Sequence, residues 1–203
     1  MNAARGTRGR GLLEGFLARQ RARMANALIP DEARAGRIVD IGCGAYPVFL
    51  AGTVFREKIG LDRVMAGGGH AELRRQGLDV LHFDVDTDAR LPFDDSSADV
   101  VTMLAVFEHI APQRLAPLTR DVRRVLKPGG MLILTTPAHW TAGLLRLLAR
   151  LRLVSHEEID EHKDAYSHGE IIPVLTTAGF EENAIRCGSF ELGMNLWVTV
   201  KKS

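Results

Sequence analysis

Cysteine is scarce in this sequence: of 203 residues only Cys43 and Cys187 carry a thiol. Neither sits in a C-x-x-C or zinc-type spacing, so a disulfide framework is not expected, and a reducing compartment is the simpler setting. Long apolar runs are also missing. Nothing approaches the ~20 residues needed to cross a bilayer, and the N-terminus lacks the uninterrupted apolar stretch of a secretory signal. Nor does one sign of charge dominate: 26 Lys and Arg face 25 Asp and Glu, a net charge of +1. That removes whole-molecule attraction to nucleic acid as a default. Repeats are absent, as is low-complexity sequence after residue 10.

What is present is an ordinary globular composition, 46% hydrophobic and 25% charged, which excludes disordered, collagenous and coiled-coil classes. At about 150 residues per domain, the length fits one domain with a small addition. Charge is uneven along the chain. Arg5, Arg8, Arg10, Arg19, Arg21 and Arg23 meet only Glu14 within residues 1–30. Such an Arg-rich start also suits a transit peptide, but the apolar residues within it have a structural use, and a cytoplasmic location is the expectation.

Residues 1–10 read as a flexible tail. Leu12, Leu13, Phe16, Leu17, Met24 and Leu28 form a helical stripe stopping at Pro30, so residues 11–35 are expected to be a helical cap. Beyond it, short β-rich runs alternate with polar helical stretches, the pattern of a parallel sheet wrapped by helices in an α/β fold. The expected strands are Arg37–Ile41, Glu57–Leu61, Val80–Phe83, Val100–Leu104 and Met131–Thr135, followed by a closing pair near Asn183–Cys187 and Asn195–Lys201. Helices are expected at Pro47–Phe55, Ala71–Gln76, Gln113–Leu126 and Gly169–Ala178. The third of these is closed by Lys127-Pro128-Gly129-Gly130. A Leu/Arg helix at Thr141–Val154 and a charged connector at Ser155–Ser167 lie between.

The first strand carries the most informative motif, Asp40-Ile41-Gly42-Cys43-Gly44. Glycines in a turn after a buried strand let backbone amides approach a ligand closely, although a turn needing only positive φ uses them too. Asp40 adds a carboxylate that can accept hydrogen bonds from turn amides or from a ligand ammonium group. Asp62, 20 residues after Gly42 and ending the second strand, is placed to hold ribose hydroxyls, the alternative being an exposed turn aspartate. Asp84 ends the third strand, where its carboxylate and the Val85 amide can read adenine. Asp86 and Asp88 compete for that register.

These segments, with Leu91-Pro92-Phe93-Asp94, Glu108-His109, Leu126-Lys127-Pro128-Gly129-Gly130 and Ala178-Gly179-Phe180, resemble the class I S-adenosylmethionine (SAM)-dependent methyltransferases. The similarity is greatest to the quinone and small-molecule branch. It spans roughly residues 36–202 and sets off 138–168 as a substrate-side insertion. It implies a Rossmann-like three-layer sandwich whose seven-stranded, mostly parallel sheet has an antiparallel last strand. It also implies SAM across the edge of strands one to three, with Asp40, Gly42 and Gly44 at the methionine end, Asp62 on ribose, Asp84 and Val85 at adenine, and Leu104 beneath the methionine. The family often has a third glycine where this chain has Tyr46, so the following helix is expected to start at Pro47.

Methyl transfer needs alignment above all, worth ~7–11 kcal/mol in favourable cases, and a base can add ~10²–10⁴-fold for a hydroxyl acceptor. Glu108, His109 and His139 are the candidates, each weighed against a local packing role. Trp140 is expected to floor the acceptor pocket. Leu104-Ala105-Val106-Phe107 stands where methyltransferases of exocyclic amines commonly hold Asn/Asp-Pro-Pro-Tyr, which disfavours a nucleobase amine as acceptor. The expected acceptor is a small or lipid-linked molecule methylated at O or C.

Competing readings are weaker. His156, His162 and His168 lack metal-ligand spacing, so no metal is expected. Gly67-Gly68-Gly69 reads as a loop, not a phosphate cradle. A nicotinamide-dependent oxidoreductase wants a glycine where Pro47 stands. An inactive partner subunit, or an RNA-directed enzyme using the basic arm, completes the set.

Overall fold

The computed structural model describes residues 14–63, 70–141 and 166–203. The tail at 1–10, the Gly67–Gly69 loop and nearly all of the Thr141–Val154 helix and Ser155–Ser167 connector lie outside them. Seven strands form one sheet: β1 Arg37–Ile41, β2 Glu57–Asp62, β3 Leu78–His82, β4 Ala98–Leu104, β5 Leu126–Pro137, β6 Ile185–Phe190 and β7 Asn195–Lys201. Their order is β3-β2-β1-β4-β5-β7-β6. The first five pair in parallel, and β7 runs antiparallel to both β5 and β6. This is the seven-stranded sheet with an antiparallel last strand that the resemblance implied.

Helices α1 (Glu14–Leu28), α2 (Val48–Gly52), α3 (His70–Arg75), α4 (Pro112–Val125) and α5 (His168–Thr177) cover the sheet. The alternation of side chains along each strand divides the core. Val39, Ile41, Val101, Met103, Leu132 and Leu134 pack with Leu118, Val122, Ile171 and Leu175 of α4 and α5. Ile38, Val100, Met131 and Ile133 point the other way, onto Ala25, Phe49 and Leu50 of α1 and α2. Asp40 and Thr102 share this second face, because each lies two residues from a member of that cluster.

Several boundaries moved. The helix expected over Pro47–Phe55 spans only Val48–Gly52, with Pro47 at its N-cap. Strand β3 starts at Leu78, since Gly77 takes φ +69° and lets the chain enter the sheet register at once. The closing strand expected at Asn183–Cys187 starts at Ile185 after a short 3-10 turn over Glu182–Ala184. Strand β5 already begins at Leu126, which pairs with Ala98 before a bulge shifts the register to Val100↔Met131. The glycine pair in Lys127-Pro128-Gly129-Gly130 permits this bulge. Gly129 has φ +78°, and a Cβ on Gly130 would lie 2.9 Å from the Lys127 carbonyl.

The chain moves outward from β1 through β2 to β3, then returns to place β4 on the other side of β1. Open α/β sheets bind ligands beyond the strands' carboxyl ends at this switch point. Every predicted cofactor residue lies along that edge.

Candidate functional site

Gly42 and Gly44 both take φ +74°, a left-handed conformation costly for other residues. Gly42 also has no room for a side chain: a Cβ there would stand 2.3 Å from Val106 Cγ2, in the loop after β4. The Gly42 and Cys43 amides both donate to the Leu61 carbonyl, at 2.7 and 3.1 Å. Gly44 N–H donates to Asp62 Oδ2 at 2.8 Å. The turn after β1 is therefore clamped to the end of β2. The amides expected to reach Asp40 are taken instead by Leu61 and Asp62.

Asp40 is buried and accepts a 2.6 Å hydrogen bond from the Thr102 hydroxyl of β4. Burial is the main force on its carboxyl, pushing its pKa up to about 7; Thr102 opposes this, and the nearby Asp62 charge reinforces it.

Past β3 the chain folds into a tight acidic turn. Asp88 Oδ2 accepts the Asp84 amide at 2.8 Å, and Asp84 Oδ1 accepts the Asp86 amide at 2.9 Å. Arg114 of α4 pins the turn by donating to the Val85 carbonyl at 3.2 Å and to the Asp88 carbonyl. Asp88 is thus committed to the turn, and Asp86 Oδ1 accepts the Ala111 amide at 3.4 Å. Among the described residues the Val85 amide has no hydrogen-bond acceptor.

Leu104 ends β4, and Ala105 after it takes φ +54°, its amide held by Thr135 through the carbonyl at 2.9 Å and Oγ1 at 3.2 Å. Such backbone costs of order 1–3 kcal/mol and clusters at functional sites. It aims Val106 at Gly42 and carries the chain into the Phe107–His109 turn. Glu108 in that turn is 1% exposed, its carboxyl enclosed by its own backbone and by the end of β5. The Thr136 hydroxyl, at the end of β5, is buried against it. Burial holds the Glu108 carboxyl above its ordinary range, opposed by His109, Thr136 and Arg21 of α1.

His109 therefore stands with Glu108. His139 does not: it is exposed, in a separate 3-10 turn, and its charge bears on Glu170 at the start of α5. Trp140 is 62% exposed, its indole N–H donating to the Gly193 carbonyl at 3.2 Å. It sits against the β6–β7 turn on the same edge. Sequence reasoning missed Arg21, Thr102, Thr136 and Glu191. Only the Thr135-Thr136 pair closing an apolar strand gave any signal for them.

A seven-stranded sheet in the order β3-β2-β1-β4-β5-β7-β6, with β7 reversed, is the class I methyltransferase fold. The comparisons agree. The methyltransferase domain family matches residues 39–134. A probable SAM-dependent methyltransferase of Mycolicibacterium smegmatis is 34% identical over 149 residues, 72% of this chain and 53% of that protein. Among solved structures, a Thermotoga maritima SAM-dependent methyltransferase, described as a possible histamine N-methyltransferase, superposes with TM-score 0.66 at 21% identity, covering 93% of this chain and 90% of that one. A methyltransferase in complex with the Haloferax volcanii Trm112 activator gives TM-score 0.65 at 19% identity, covering 94% and 96%. The chain belongs to the class I SAM-dependent methyltransferases, whose cofactor is SAM. It spans about half the length or less of the curated relatives it matches. No helix among the described residues is long and apolar enough to cross a membrane.

Proposed function

We propose that this chain transfers a methyl group from SAM to a small or lipid-linked acceptor, at oxygen or carbon rather than at a nucleobase amine. The observation that carries the reading is the convergence of Asp40, the Gly42–Gly44 turn and Asp62 on one rim at the switch point. When bound, SAM supplies a methyl already activated by the sulfonium charge. Gly42 and Gly44 bring the backbone close to its methionine end. Asp40 offers a buried negative charge on that side once it ionises, and Leu104 closes the site from below. Asp62 takes the ribose, because its carboxylate stands at the carboxyl end of β2 beside the Gly44 amide. Asp84 and the uncommitted Val85 amide meet adenine. Asp86 and Asp88 are otherwise engaged, which supports this register.

Beyond the methionine end, Glu108, His109 and His139 are the groups able to take a proton from the acceptor. Glu108 and His109 are the better placed, standing at the end of β4 next to Leu104. An exposed free thiol at Cys187 supports a cytoplasmic setting. Calorimetric titration with SAM and S-adenosylhomocysteine tests the proposal. Binding of both is expected, and no heat at millimolar ligand would sink it.

A second reading, a subunit that works with a partner protein, is favoured by one observation: a neighbour of the same fold is seen with an activator protein. Turnover by the isolated chain decides against it.

A further inference from the structure

Asp40 and Asp62 are acids buried on neighbouring strands, 3% and 2% exposed. Strand register pairs Asp40 with Gly60, so Asp62, two positions further along β2, stands on the same face of the sheet. Among the described residues no cation bears on Asp40. Helices α1 and α2 present apolar Ala25, Phe49 and Leu50 to that face, and Arg21 of α1 acts on Glu108 and Glu191 instead. Two neighbouring carboxylates taken out of water are costly, and a proton on one of them relieves both the burial and the repulsion.

Hydrogen bonding decides where that proton sits. The Gly44 amide can only donate, so it holds Asp62 Oδ2 as an acceptor. Thr102 is reversible. Its hydroxyl oxygen lies 2.6 Å from Asp40 Oδ1 and 3.5 Å from the Val39 carbonyl oxygen. It can donate to an Asp40 carboxylate, or accept from an Asp40 carboxylic acid while turning its own proton toward Val39. Asp40 thus keeps a partner in either form. Burial holds its carboxyl up at about 7 against the pull of Thr102, and Asp62 adds to the rise.

We propose that Asp40 couples cofactor capture to proton release: below neutrality it stands as a neutral acid, and it ionises when the cationic methionine end of SAM arrives. The O–H bond of the carboxyl breaks, the proton passes to water or buffer, and the positive charge of the ligand takes its place. An opposite charge within ~4–6 Å favours the ionised form. The Thr102 hydroxyl turns from Val39 to Asp40 in the same event. This inference rests on the methyltransferase reading and adds a consequence to it: affinity follows the fraction of Asp40 already ionised, so the site loses its cofactor in acid.

The test is calorimetry on the full chain at pH 6, in buffers of low and high ionisation enthalpy, which counts the protons released. More than about half a proton is expected to leave per S-adenosylhomocysteine bound, and a smaller release overturns the proposal. Methylthioadenosine, which has the nucleoside without the cationic end, is expected to bind without release; an equal release from it overturns the pairing with the cation. Affinity for S-adenosylhomocysteine is expected to be about tenfold higher at pH 7.5 than at pH 5.5 in the wild type, and to change less than twofold in Asp40→Asn. The same pH dependence in both would place the proton on another group and overturn the assignment. Should Asp40→Asn not fold, Thr102→Val decides. Without the donor that favours the carboxylate, the pH of half-maximal release is expected to move upward, and an unmoved or lowered midpoint overturns the switch. Each of these outcomes leaves the methyltransferase reading intact, whereas failure of the wild type to bind SAM or S-adenosylhomocysteine at any of these pH values removes that reading itself.

Discussion

Asp62 and Gly44 are joined by a 2.8 Å hydrogen bond from the glycine amide to the carboxylate, so one acid both shapes the turn after β1 and borders the rim at the switch point of the sheet. Replacing Asp62 by alanine removes this charge-assisted bond and, on the proposed assignment, a ribose partner. Calorimetry with SAM is expected to show affinity weakened by about 1–3 kcal/mol. An unchanged dissociation constant means that the ribose assignment is wrong.

Gly42→Ala meets two obstacles, a φ of +74° and a Val106 methyl 2.3 Å from the new Cβ. A loss of about 2–4 kcal/mol in denaturant unfolding is expected from the backbone strain and the overpacking together. Adding Val106→Ala relieves the steric part, so the two changes combine less than additively. Full additivity would show that the contact does not matter.

Asp40 makes stability depend on pH with a definite sign. Its carboxyl titrates at about 7 in the folded protein against 3.8 ordinarily. Between these values the unfolded chain has lost a proton that the folded chain keeps, so stability falls as pH rises through that window and levels off above it. The upper bound is about 4 kcal/mol. Burial raises Glu108 and Glu191 too, adding the same sign. Denaturation at pH 4.5 and 7.5 is expected to show a smaller drop for Asp40→Asn than for the wild type. Equal drops would mean that Asp40 does not carry the effect.

Arg124 at the end of α4 is a structural hub on the opposite edge of the sheet. It donates to Asp121 at 2.5 and 3.2 Å, to the Phe93 carbonyl at 2.8 Å and to the Leu91 carbonyl at 3.2 Å. Lysine lacks the planar fork that reaches all of them. Arg124→Lys is expected to cost about 1–3 kcal/mol of folding stability and to leave SAM affinity unchanged. A change in that affinity would show coupling between the two edges.

Much of this was legible in the sequence because the sheet is parallel and buried. Strands enclosed on both faces read as short apolar runs, and the bounds of β1 and β7 came directly from them. The acids at 40, 62 and 84 were legible because each ends such a run. Thr102 was not: its bond to Asp40 depends on pairing across 62 residues, which only sheet register decides. The same holds for Thr136, which only the β5–β7 register sets opposite Leu196. The Leu126 extension of β5 was hidden because a bulge interrupts the pattern.

The last strand along the chain, β7, is enclosed by β5 on one side and β6 on the other. The half of the rim proposed to hold SAM is built by β1 to β5, complete by Pro137, whereas the opposite wall waits for a hairpin made some fifty residues later. The two halves therefore have separate blueprints. On the proposed reading, altering the Glu191–Met194 bend leaves the grip on the methyl donor unchanged.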